Sequence, residues 1–179
     1  MKKEFLFSSM LVVFSLTVLM LNSSPVVAQE NSDMETIINT LIAATLPENQ
    51  DSVTIRMEAV ETLWHFYDPN SPMASRIESA ILAATKDKDP KVRGMVAESL
   101  DVMSSRESLE VLVLLSADKD KEVSEIANRT LMPRVSESLA ELADMISNNA
   151  SNALRLAALR VIHTWTHSSK APPSVRRSN

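Results

Sequence analysis

The 179-residue chain has no cysteine and a single glycine, Gly94. Without cysteine it can form no disulfide, no thiolate metal site, no cysteine nucleophile and no lipid-modified N-terminal cysteine. One glycine leaves almost no position free to take φ > 0. The tight hairpins of an all-β fold are thereby disfavoured and an all-α fold favoured. Scarce glycine also argues against phosphate-cradling loops, and no Gly-x-Ser-x-Gly turn is present to raise a serine nucleophile. Aromatics are few, at two Trp, one Tyr and four Phe. A formal charge of −5 argues against binding nucleic acid or an anionic membrane, which needs a basic face.

What is present begins with an export signal. Lys2-Lys3 precede an apolar stretch from Phe5 to Leu21, then a polar break at Asn22-Ser23-Ser24-Pro25 and small residues in Val26-Val27-Ala28. That order predicts removal of residues 1–28, leaving Gln29 first. Losing Lys2, Lys3 and Glu4 subtracts a net +1, so the mature chain sits near −6. The alternative is an uncleaved anchor, because the apolar stretch approaches the length of a membrane span. An exported, cysteine-free helical chain reads as a bacterial periplasmic or secreted protein.

Behind the signal a helical frame is written four times. It reads Ile55-Arg56…Ala59-Val60…Leu63, then Val92-Arg93…Val96-Ala97…Leu100. It continues as Val123-Ser124…Ala127-Asn128…Leu131 and Leu154-Arg155…Ala158-Leu159…Ile162, at steps of 37, 31 and 31. Apolar residues at i, i+4, i+5 and i+8 form one helix face, and a common step marks a repeat array whose units bury one another. A first helix precedes each frame, as Thr36–Thr45 parallels Arg76–Thr85. Extra residues around Pro47-Glu48-Asn49-Gln50 are expected to lengthen the first step. Ser32-x-x-Glu35 and Ser104-x-x-Glu107 read as capping boxes, and Asp89 before Pro90, Asp120 and Ser151 as N-caps.

The segment Asp89-Pro90-Lys91-Val92-Arg93-Gly94-Met95-Val96-Ala97-Glu98-Ser99-Leu100 resembles the second helix of HEAT repeats, in the short bacterial form shared with phycobilisome-lyase-like proteins. The resemblance implies paired antiparallel helices stacked in a curved rod, second helices lining the concave side, and an Asp/Arg ladder between neighbours. On this chain the ladder falls on Asp89, Arg93, Asp120 and Arg155, interrupted where Ser124 and Ser151 replace the expected base and acid. HEAT-repeat enzymes that hold iron use His-Glu pairs, whereas none of the three histidines here precedes a glutamate.

The expectation is therefore an all-α, right-handed α-solenoid of four stacked antiparallel helix pairs over 31–167. Its units are 31–67, 73–103, 104–132 and 136–167, followed by a disordered basic tail at 168–179. No catalytic residue, metal or cofactor is assigned. Asp118-Lys119-Asp120-Lys121-Glu122 lacks the glycine of a calcium loop and reads as an exposed turn.

Glu61, Glu98, Arg129 and Arg160 share one frame position and would align as a charged strip, either orienting a partner or neutralising itself through a Glu98–Arg129 pair. Trp64 lies in an aromatic run, Trp64-His65-Phe66-Tyr67, that suits either a partner anchor or a plug for the first unit. In the last helix Leu154, Ala158, Ile162 and Trp165 should face the preceding units. Leu156 and Leu159 add apolar surface for a partner or a second copy. His163 and His167, one turn apart, are a weak metal-binding alternative. The functional expectation is a non-enzymatic adaptor for another protein, or else an accessory subunit of an envelope enzyme or transport complex.

Overall fold

The computed structural model describes residues 25–148 and 151–168. Most of the expected export signal, 1–24, and the expected tail from 169 onward lie outside the described residues. Among those residues there are eight α-helices, a few short 3-10 turns and no strand. The helices are α1 Pro25–Ala44, α2 Val53–His65, α3 Ala74–Ala83, α4 Pro90–Ser99, α5 Arg106–Leu115, α6 Lys121–Leu131, α7 Leu139–Ser147 and α8 Asn152–Thr166. None of them is long and apolar enough to cross a membrane. The chain forms two compact units, residues 1–40 and 41–179, divided within α1.

In the smaller unit, α1 already begins at Pro25, so Ser32 lies inside the helix instead of capping it. Its carbonyl accepts from the Thr36 hydroxyl at 2.9 Å, as a mid-helix carbonyl can.

The larger unit starts its helices where aspartate or serine can satisfy free amides. Asp89 accepts from the Lys91 amide, Asp120 from those of Glu122 and Val123, Ser52 from that of Ile55, and Ser151 from that of Leu154. At α5 the cap is Ser105, one residue later than expected, and it accepts from the Ser108 amide at 3.0 Å. Met103 just before it is completely buried. Seating that side chain turns Ser105, and not Ser104, onto the helix end.

Second helices α2, α4 and α6 pack side by side, while α3 and α5 lie against them as a second layer. Leu63, Ile77, Ile81, Val96, Leu100 and Leu112 fill the space between, each 0% exposed. Burial of such a side chain contributes about 1.5–3 kcal/mol. The single glycine sits in the contact between α4 and α6: a Cβ on Gly94 would lie 3.2 Å from the Ile126 Cδ1 atom.

The longer first step arises after α2, not in the 47–50 turn. The connection 66–73 carries eight residues, whereas the next one, 100–105, has six, of which Leu100–Val102 continue α4 as a 3-10 turn. The 45–52 turn precedes α2 and so cannot lengthen a step measured from α2 to α4.

The all-α solenoid expected from the sequence is the fold, but its fourth pair joins differently from the others. α8 packs on α7 and on α5 and does not extend the α2–α4–α6 layer. The reason lies in α6, whose outer flank is polar. There the Ser124 hydroxyl and the Asn128 amide both donate to the Ser116 carbonyl, at 2.7 and 3.2 Å. Against α5 and α7, α8 buries Leu154, Ala157, Ala158, Val161 and Trp165. Ile162, expected in this stripe, is only half-buried.

Candidate protein-binding surface

Two buried ion pairs hold the second-helix layer in register. Arg56 of α2 reaches Asp87 with Nε at 2.7 Å and Nη2 at 3.0 Å, and both side chains are 1% exposed. Its Nη1 donates to the carbonyls of Gln50 and Asp51 at 2.8 and 3.1 Å. Arg93 of α4 repeats the arrangement one unit on. It meets Asp118 at 2.8 and 2.9 Å and donates to the carbonyls of Asp87 and Lys88 at 2.9 and 3.1 Å. Each rung ties a second helix to the turn of the following unit, with bidentate geometry and further partners satisfying the buried charge.

The acids of this ladder are Asp87 and Asp118, not Asp89 and Asp120. In each Asp-x-Asp turn the second aspartate faces its helix end and is used as the cap. The first points inward, and its Oδ1 accepts the amide of the second at 2.8 Å in both turns. Asp118, read from sequence as part of an exposed turn, is thus half-buried and paired. Burial would raise the Asp87 carboxyl, but Arg56 and the Asp89 amide outweigh it and hold it below its ordinary value. The Arg93 hydrogen bonds hold Asp118 down likewise, against burial. Ser124 makes no third rung, and among the described residues the buried Arg155 Nε has no hydrogen-bond partner.

The solvent side of the layer is a continuous surface. On central α4 only Lys91 and Glu98 are exposed, with Met95 half-buried between them. Repeat register places Glu58, Met95 and Ile126 in one row and Glu61, Glu98 and Arg129 in the next. Glu61 is half-buried, and Glu98 and Arg129 are exposed. Among the described residues neither Glu98 nor Arg129 takes an ion-pair partner, so the strip does not neutralise itself. Arg160 does not join as its fourth member: it is exposed on α8, which packs on α5 and α7. Met95 and Ile126, missed in the sequence, form the apolar middle of this surface. Both sit one turn before a strip residue, Glu98 and Arg129, which is the signal that could have found them.

The other candidates lie apart from the strip. Trp64 is half-buried at the end of α2, its ring 5.1 Å from that of His65. Phe66 and Tyr67 are half-buried at the start of the long connection. Burial, with the Glu78 charge, raises the Tyr67 phenol. The rings of His163 and His167 stand 4.4 Å apart, and the His167 Nδ1 lies 2.8 Å from the His163 carbonyl. Among the described residues no group of three or more His, Asp or Glu is placed to hold a metal ion. On α8, Leu156 and Leu159 are 49% and 50% exposed.

A family model described as HEAT repeats matches residues 38–132. The match runs from the end of α1 through α6, takes in both rungs and the strip, and stops before the fourth pair. No curated protein matches the chain. The chain belongs to the HEAT-repeat family.

Proposed function

We propose that this chain is an exported, non-enzymatic adaptor that binds another protein across the solvent side of α2, α4 and α6. HEAT repeats generally mediate protein–protein interaction, and one observation carries the proposal for this surface. Glu61, Glu98 and Arg129 stand beside a half-buried Met95 and Ile126, and among the described residues Glu98 and Arg129 have no ion-pair partner. An apolar centre with a charged border is the usual anatomy of a recognition patch, and graded charge across it selects and orients the partner. Methionine lets such a centre adapt to its partner. Charge reversal tests this reading. A Glu61→Lys/Glu98→Lys variant should fold as the wild type does, yet fail to retain the protein that wild type captures from an envelope extract. Equal retention by both contradicts it.

Export rests on the Lys2-Lys3, Phe5–Leu21 and Val26-Val27-Ala28 pattern. Mass spectrometry of the protein recovered from cells should find Gln29 as its first residue. An intact Met1 form in the membrane fraction contradicts cleavage.

A further inference from the structure

The outer flank of α8 repeats the pattern of a face that the next unit covers elsewhere, and the described residues leave it about half exposed at Leu156 and Leu159. In register, Arg155, Leu156, Leu159 and Ile162 of α8 correspond to Arg93, Gly94, Ala97 and Leu100 around α4. They correspond equally to Arg56, Met57, Val60 and Leu63 in α2. In those two helices the next unit covers this face. Val60, Leu63, Ala97 and Leu100 are 0% exposed, and each arginine receives the next unit's aspartate. On α8 the same face carries Leu156 at 49% and Leu159 at 50% exposure, with Ile162 and Arg155 half-buried, and among the described residues the buried Arg155 Nε has no hydrogen-bond partner. No acidic residue occurs between 151 and 168. A buried guanidinium nitrogen without an acceptor is costly, and the same constellation two and three units earlier shows what satisfies it.

We propose that this flank docks an element of a partner protein built like this chain's own units, a turn bearing an aspartate followed by an amphipathic helix. The aspartate would take Arg155, and the helix would cover Leu159 and Ile162. Leu156 stands where Gly94 admits a close neighbour, so the docking helix should carry a small residue opposite it. A second copy stacked end to end fits poorly. The position matching Asp87 and Asp118 in the first unit is Gln50, and Asp87 and Asp118 are already engaged. This inference rests on the reading that the chain binds proteins, but it uses a face separate from the strip.

The probe is a synthetic peptide of residues 118–132 carrying Ile126→Ala, held helical by a lactam between Lys121 and Glu125. Those two side chains are 90% and 65% exposed and already 3.3 Å apart. Its affinity for the full chain is read by fluorescence anisotropy. Wild type should bind, and Leu159→Glu should abolish binding. Arg155→Gln in the chain, or Asp118→Asn in the peptide, should each weaken it about tenfold, with no further loss when combined, as for one charge-assisted pair. The Glu61→Lys/Glu98→Lys chain should bind undiminished, which separates failure here from failure of the strip. No binding, or binding indifferent to Arg155→Gln and Leu159→Glu, overturns the proposal. So does a wild-type dimer in sedimentation that Leu159→Glu dissolves, since that would give the face to a second copy.

Discussion

Arg56 of α2 and Asp87 of the turn before α4 meet at 2.7 and 3.0 Å with both side chains 1% exposed. A pair buried this deeply is strongly context-bound: removing one partner strands the other's charge, whereas removing both need not. Arg56→Met should therefore destabilise the protein by about 3–5 kcal/mol, while Arg56→Met/Asp87→Leu should recover most of the loss. Urea denaturation of the three proteins decides it. If the double variant is as unstable as the single one, the hydrogen bonds to the Gln50 and Asp51 carbonyls matter more than the ion pair.

The rungs also set an acid limit. Asp87 and Asp118 titrate below their ordinary value of 3.8 in the folded protein. The unfolded chain then binds more protons than the folded one in the interval between the two values. The stability they supply is complete above the unfolded value and lost as pH falls through the lower folded one. Thermal melting between neutral pH and pH 3 should show a drop concentrated at the acid end. The Arg56→Met/Asp87→Leu protein should lose less over the same interval. Equal losses would mean other carboxylates dominate.

Helix phase can be checked on α4 directly. Val96 is 0% exposed, and Glu98, two residues on, faces solvent. Val96→Asp buries an unpaired carboxylate and should cost several kcal/mol, while Glu98→Ala should stay within about 0.5 kcal/mol. Equal melting temperatures would show that the helix is rotated from the face described.

Gly94 gives a graded test of how closely α4 and α6 pack. An added Cβ would meet only the Cδ1 tip of Ile126, at 3.2 Å. Gly94→Ala should be nearly neutral, because better helix propensity of roughly 1 kcal/mol offsets a small shift of that side chain. Gly94→Leu should destabilise by about 1–3 kcal/mol through overpacking. Similar stability for both variants would place α6 farther away.

The helices, their pairing and the second-helix layer were legible because the apolar frame is regular and each unit has only its neighbours to pack on. Arg93 was legible as a ladder base only through the resemblance of 89–100 to a HEAT second helix. Its acid was not, because Asp87-Lys88-Asp89 and Asp118-Lys119-Asp120 each offer two aspartates two residues apart. Only the fold decides which one turns inward. The packing of α8 was hidden for a different reason. The periodic pattern of 154–165 fits a second helix, but the polar flank of α6, with Ser124 and Asn128, withholds the surface that such a helix needs. The expected four-member strip accordingly stops at Arg129.

Hydrogen exchange of the full chain, alone and with the protein it captures, tests the central claim most directly. The strip account predicts added protection in 54–61, 91–98 and 122–129, the solvent-facing segments of α2, α4 and α6 that meet in the charged surface. Protection confined to the first helices 74–83 and 106–115, or none in the second helices, would contradict it.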